Sequence, residues 1–256
     1  VDKPPAQPGE VVLKVENLRV THGGVARLKG VSFEIRRGEI LGIAGVAGNG
    51  QTELLEVLGG MMAASGGTVQ YFGAPLPVSG PEANGRARRA MGIGHIPEDR
   101  QTEGLIMPFE AWENVAFGYH HDPAYQSGRL MNNAAIKADC ADKMARYDVR
   151  PPNPRLPARN FSGGNQQKIV VAREMDRTPD LLLVGQPTRG VDIGAIEFIH
   201  RQIIALRDQG KAILLVSVEL DEIMGLSDRI AVMFDGQIMG ERLPHETDQN
   251  ALGLLM

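Results

Sequence analysis

The sequence predicts an α/β fold with a mostly parallel core sheet, an antiparallel β edge and an inserted α-helical subdomain. Three observations lead there. Hydrophobic strands alternate with helical patterns through the second half of the chain, the order that builds a parallel sheet through helical crossovers. Residues 39–44 form a buried-type strand that runs straight into a glycine loop and then a helix with Leu54, Leu55 and Leu58 on one face. Residues 11–15 and 31–35 alternate apolar with polar, as half-exposed antiparallel strands do.

The elements follow in order. Residues 1–10, with Pro4, Pro5, Pro8 and Gly9, have the composition of an interdomain linker, and the absence of an initial methionine fits the second half of a longer polypeptide. Residues 11–103 carry the β edge and the start of the core. Residues 104–160 change character: Trp112, Val115 and Ala116 suggest a short helix, 134–147 a longer one, and Pro151, Pro152, Pro154 and Pro157 an extended connector. This helical subdomain continues into a helix over 162–176. The core resumes over 177–243 with strands at 181–184, 212–217 and 229–234 and helices at 193–207 and 220–226, leaving 244–256 as a tail.

Composition narrows the function. The 256 residues are 43% hydrophobic and 23% charged, ordinary for a globular chain able to bury a sizeable core. A net charge of −4 argues against a nucleic-acid binder that relies on a basic surface, and the cluster Arg86, Arg88 and Arg89 is expected to be a solvated helix face. One cysteine, Cys140, leaves no internal disulfide. His120 and His121 are adjacent, and neighbouring side chains are expected to diverge rather than share a metal. No apolar run approaches the ~20 residues of a membrane span.

Two segments carry chemistry. In the loop 45–52, Gly45, Gly48, Asn49 and Gly50 can turn backbone N–H groups toward phosphate oxygens, the following helix adds its positive end, and the Thr52 hydroxyl suits Mg²⁺. Gln51 stands where such loops carry a lysine, which weakens phosphate binding without abolishing it, because a charge-assisted hydrogen bond is worth ~1.5–3 kcal/mol against about 1 for a neutral one. An ordinary tight turn would read the same way. The second segment, Phe161, Ser162, Gly163, Gly164, Asn165 and Gln166, opens a helix with a hydroxyl and glycines, which is an anion site or simply a capped helix. Asp192 suits the N-cap of the helix that begins near Ile193.

The run from Phe161 to Lys168 resembles the signature of the ATP-binding cassette (ABC) family, and the likeness extends from about Val11 to Glu241 with the motifs in the family's order. Asn165-Gln166-Gln167-Lys168, Pro97-Glu98-Asp99-Arg100 and Pro187-Thr188-Arg189-Gly190 resemble the second cassette of tandem importer ATPases for simple sugars and nucleosides. Gly48 to Thr52 and Gly185-Gln186-Pro187 are most similar to the purine-nucleoside branch, of the basic-membrane-lipoprotein type. The resemblance implies a P-loop NTPase cassette that binds ATP and Mg²⁺ through residues 45–52, with Glu98 as a second Mg²⁺ contact and His22 either at the adenine or a plain surface histidine. It implies that 161–166 act on nucleotide held by another cassette, with Asp192 in the loop at that interface. It also marks losses: Gly185 and Gln186 replace the two acids of the catalytic strand, and Val218 replaces the switch histidine.

The implied partners are a first cassette in the same polypeptide, transmembrane permease subunits and, indirectly, an external substrate-binding protein, with the domain peripheral on the cytoplasmic face of the membrane. Met107, Phe109 and Trp112 are candidates to receive the permease, or else core packing. Two other classes compete. One is an independently active ATP hydrolase in which Gln186 still orients water. The other is a DNA-repair or chromosome ATPase, which a single cysteine and the lack of a sustained heptad disfavour.

Overall fold

The first two strands, β1 (Val11–His22) and β2 (Val25–Arg36), pair antiparallel around a turn at Gly23 and Gly24. Leu13 and Val15 face the core, and so do Leu18 and Val20. The apolar phase changes between them, and a register shift between Val15 and Leu18 keeps both pairs on the buried face. Polar Glu16, Asn17 and Arg19 hide this continuity, so the alternation marks only part of each strand. The chain continues through β3 (Ile40–Ala44), α1 (Gln51–Leu58), β4 (Gly66–Tyr71), β5 (Ala74–Leu76), α2 (Gly85–Ala90) and β6 (Ile93–Ile96). A helical stretch follows with α3 (Ala111–Ala116), a small hairpin of β7 (Gln126–Ser127) and β8 (Leu130–Met131), α4 (Asn133–Arg146) and α5 (Gly163–Met175). Then come β9 (Leu181–Gly185), α6 (Ile193–Asp208), β10 (Ala212–Ser217), α7 (Leu220–Leu226), β11 (Arg229–Phe234), β12 (Gln237–Arg242) and α8 (Gln249–Gly253).

A computed structural model describes residues 1–256. They form two units: Val1–His95, Pro179–Gln186 and His200–Met256 make the first, Ile96–Thr178 and Pro187–Ile199 the second. The helical segment thus begins before residue 104 and takes in both α5 and the loop 187–192.

The first unit holds two sheets, one in the order β2-β1-β4-β5 and one in the order β12-β11-β3-β10-β9-β6. β3, β9 and β10 are buried along their whole length, and β3 pairs in parallel with both β10 and β11. Continuous apolar runs suit this position because both faces of a parallel strand are covered. Leu13, Leu54, Leu58, Leu183 and Leu214 meet in one core, where full burial of each such side chain contributes ~1.5–3 kcal/mol.

Two expectations change in this unit. Arg88 does not belong to a solvated helix face: it is 2% exposed and donates to the carbonyls of Leu58 at 2.9 Å and Pro77 at 2.5 Å, with a longer bond to Val57. Those of Leu58 and Val57 are among the last carbonyls of α1, which lack helical partners, so a buried cation is tolerated where it caps them. Residues 1–10 lack regular structure, as their composition implies, yet they are fastened down. Lys3 Nζ donates to Leu226 O and Ser227 O and pairs with Asp228 at 3.0 Å, Arg207 donates to Pro4 O, and Gly9 N donates to Arg37 O.

The second unit packs α3, α4 and α5, with a small core of Ala116, Tyr125 and Ile136 against which Trp112 and Tyr119 lie. The Arg177 guanidinium sits over the rings of Tyr119 and Tyr125 and pairs with Asp122 at 2.6 Å. Cys140 is buried here, and burial pushes its thiol up to about 12. The rings of His120 and His121 do not diverge but lie 3.9 Å apart, tilted. Burial alone would raise the Asp176 carboxyl, but hydrogen bonds from Arg146 and the nearby Lys143 outweigh it and hold Asp176 below its usual 3.8. A depressed carboxyl stabilises above its unfolded value, and the contribution is lost as pH falls through the folded one. Stability measured by urea unfolding is therefore expected to drop below about pH 4, and Asp176→Asn to flatten that slope.

Candidate functional site

Strand β3 delivers the glycine loop at its C-terminal end, and α1 begins immediately after it. Gly48 (φ 90) and Gly50 (φ 105) are left-handed, a conformation that lets the loop curl its N–H groups inward and that a side chain would strain. Gly50 is the N-cap of α1 and supplies no side-chain cap, which suits the helix start to an anion. Asn49 anchors the loop: its carboxamide oxygen accepts from Asp235 N and its carbonyl from Gly236 N, both at 2.9 Å. Gln51 is 4% exposed and turns into the loop. Its Nε2 donates to Val46 O at 2.9 Å, and its Oε1 accepts from Asn49 N at 3.0 Å, taking one of the amides a phosphate oxygen would use. A Cβ on Gly45 would come within 2.3 Å of the Gln51 amide, so glycine there makes room for it.

The ends of β9 and β10 complete this part of the site. Gly185 is buried and carries no carboxylate. Gln186 adopts a positive φ of 45, its N–H bonds to Val216 O at 2.8 Å, and its Oε1 accepts from Val218 N at 3.1 Å. The oxygen that would orient water is thereby engaged by backbone, while Val218 itself is 40% exposed and offers only an apolar side chain. His22 lies exposed at the end of β1. For a polyphosphate the residues fit: the left-handed glycines and the open helix start form its cradle. For Mg²⁺ the unit offers the Thr52 hydroxyl and lacks the strand-end acid.

In the second unit Ser162 is the N-cap of α5, with its Oγ accepting from Asn165 N and, at 2.9 Å, from Asn165 Nδ2. Ser162 is exposed and Gly163 half-buried. Gln166 departs from the expected outward role. It is 3% exposed, and its Nε2 donates to Ala158 O and Phe161 O at 3.1 Å, which turns its carboxamide inward to hold the approach to the helix. Phe161 is also buried, as packing. Asn165 is half-buried and uses its Oδ1 to accept from Arg150 N. Gln167, which the motif reading left without a task, donates to Pro187 O at 2.8 Å. Asp192 caps α6 as expected, its Oδ1 accepting from Ala195 N at 3.0 Å. Glu98 lines a polar cleft of about 200 Å³ with Asp99, Arg100, Gln101, Arg189 and Gly190. A separate groove of about 370 Å³ is lined by Phe109, Trp112, Phe117 and Met131, with Phe109 44% and Phe117 49% exposed.

A phosphate-binding loop between a parallel strand and its helix, an antiparallel β sheet and a helical unit with a serine-capped glycine turn define a nucleotide-binding cassette. The sequence profile of the ABC transporter family matches residues 28–189. The chain belongs to that family. It is 42% identical over 256 residues to the nucleoside import ATP-binding protein NupA of Lactococcus lactis subsp. cremoris and 43% to the guanosine import ATP-binding protein NupO of Bacillus subtilis. Both matches cover all of this chain but 50% and 49% of the relative, so the chain spans about half their length. The ribose import ATP-binding protein RbsA of Yersinia pestis is 37% identical over 96% of the chain and 47% of its own length. The dimeric cassette MJ0796 has the same fold, with a TM-score of 0.77 at 22% identity over 91% of this chain and 98% of that one. A second structure of MJ0796, with ADP and Pi bound, also scores 0.77. ATP with Mg²⁺ is the cofactor of such cassettes.

Proposed function

We propose that this chain is the second ATP-binding cassette of a tandem ATPase that energises import of nucleosides or simple sugars. Its own pocket holds Mg-ATP without efficient hydrolysis, and its serine-capped glycine turn completes the pocket of a first cassette. The observation that carries the asymmetry is the hydrogen bond from Val218 N to Gln186 Oε1, beside a glycine at 185. Bound Mg-ATP would supply the γ-phosphate that is transferred to water. Against it this chain sets loop amides, the Gln51 carboxamide and the Thr52 hydroxyl, with neither a carboxylate at 185 or 186 nor an imidazole at 218 to take up a proton. Lack of a general base alone lowers a rate by about 10²–10⁴-fold. The similarity to import ATP-binding proteins roughly twice as long supports both the tandem arrangement and the substrate class.

The test is equilibrium binding of Mg-ATP to the 256-residue chain, followed by phosphate release from the same sample. Micromolar-to-millimolar binding without chain-dependent phosphate release is expected. Robust turnover would overturn the asymmetric reading in favour of an independently active hydrolase.

No helix is long and apolar enough to cross a membrane; this reading places the cassette at the cytoplasmic face, bound to transmembrane permease subunits and served indirectly by an external binding protein. The groove at Phe109, Trp112 and Phe117 is where a permease helix would seat. Trp112 serves both readings of its role, since it packs against the small core while lining the groove. Trp112→Ala is expected to lower substrate-stimulated ATP turnover of the assembled importer by about tenfold, a loss of the size seen at interface anchors. The urea midpoint of the chain should fall as well, since Trp112 also packs against the small core. A large shift with unchanged coupling would make Trp112 a packing residue only.

A further inference from the structure

We propose that Arg100 is a positioning residue that locks the loop 187–192 to the start of α5, so that Ser162 and Asp192 are presented as one rigid surface. The inference rests on the reading above, in which that surface acts on nucleotide held by another cassette.

The guanidinium reaches three places at once. Its Nη1 donates to Arg189 O at 2.6 Å and its Nη2 to Gly190 O at 3.1 Å, while its Nε approaches Gln166 Oε1 at 3.4 Å. Gln166 in turn holds the carbonyls of Ala158 and Phe161, and Gln101 Nε2 adds a bond to the same Gln166 oxygen at 3.3 Å. Gln167 donates to Pro187 O, a second tie between helix and loop. Arg100 thus stands between the turn that precedes Ser162 and the loop that precedes Asp192.

The glycines give an independent observation. A Cβ on Gly163 would come within 2.5 Å of Arg100 Nη2 and 2.7 Å of Gly190 O. A Cβ on Gly164 would come within 2.6 Å of Asp192 Oδ2 and 3.0 Å of the Ala195 Cβ. Close approach to the Gly190 backbone therefore holds position 163 to glycine, and a side chain at 164 would displace the Asp192 carboxylate, whatever either does toward a nucleotide. Arg100 donates to main-chain carbonyls and a carboxamide, so its action depends on the direction of its donors more than on its charge. A lysine keeps the charge and loses the planar fork.

Arg100→Lys is accordingly the informative variant, read by native-state amide hydrogen exchange on the whole chain. Exchange at Asn165 and Gln166 and at Val191 and Ala195 is expected to rise together by about tenfold, while Ile169 to Ala172 inside α5 stay unchanged. A rise on one side only, or wild-type exchange in Arg100→Lys, would overturn the proposal. If Arg100→Lys loosens all of α5, Gly163→Ala decides instead, since its methyl wedges between Arg100 and Gly190 and must reproduce the paired rise.

In the assembled importer, Arg100→Lys is expected to lower kcat for ATP about tenfold at constant KM, the pattern of lost transition-state positioning. Ser162→Ala separates the two levels of the argument. If it leaves kcat unchanged, the trans role fails while hydrogen exchange still judges the clamp. If it lowers kcat and Arg100→Lys does not, the clamp is refuted as a positioning device.

Discussion

The triple substitution Gln51→Lys, Gly185→Asp and Gln186→Glu is expected to raise Mg-ATP turnover by this chain at least about 100-fold. Each change restores a distinct physical capacity. Gln51 already points into the glycine loop toward Val46 O, so a lysine there would place its ammonium where phosphate charge accumulates. Gly185 ends β9 in parallel register with Val216 and would become the missing Mg²⁺ carboxylate. Gln186 gives one oxygen to Val218 N. A glutamate can keep that bond with one oxygen and still accept a proton with the other. The measurement is phosphate release at saturating Mg-ATP with binding measured in parallel. A wild-type rate that is already high, and unmoved by the triple change, would mean that the substituted pocket is catalytic as it stands.

Arg88→Ala is expected to destabilise the chain by about 3–5 kcal/mol, the range for a buried group whose loss leaves both a cavity and unpaired carbonyls. The guanidinium is enclosed and makes no ion pair, and its partners are carbonyls at the end of α1 and in the segment after β5. Removing it leaves Leu58 O and Pro77 O without this donor. Arg88→Met refills most of the volume, so the difference between the two variants in urea unfolding separates packing from hydrogen bonding. Losses below about 1 kcal/mol for Arg88→Ala would mean that water replaces the guanidinium without difficulty. Because α1 begins at the phosphate loop, the alanine variant should also weaken Mg-ATP binding.

Much of the fold was legible because the signals are local. Strand β10 (Ala212–Ser217), helix α7 (Leu220–Leu226) and strand β11 (Arg229–Phe234) appear at the residues expected from apolar runs and helical spacing. Strands β4, β5 and β12 escaped notice. β4 and β12 are rich in glycine and polar residues, β5 is only three residues long, and all three are largely exposed and owe their form to neighbours in the sheet. The π-helical turn Arg100–Gly104 has no sequence pattern of its own. It follows Asp99, whose carboxyl accepts from Gln101 N and Thr102 N.

At the site the division is sharper. The residue types that allow or forbid chemistry are written in the chain: glycines at 45, 48 and 50, no acid at 185 or 186, no imidazole at 218 and a serine at the head of a helix. These follow from atoms the side chains possess or lack, and no packing can supply a carboxylate that is absent. Direction is another matter. Whether Gln166 faces a ligand or the interior, whether Gln186 keeps its oxygen free, and whether Arg88 lies in solvent all depend on which distant carbonyls and amides come within about 3 Å. The partners of Gln186 and Arg88 lie tens of residues away along the chain, and those of Gln166 lie across an irregular turn that no sequence pattern announces, so only the tertiary structure could bring them together and decide the orientations.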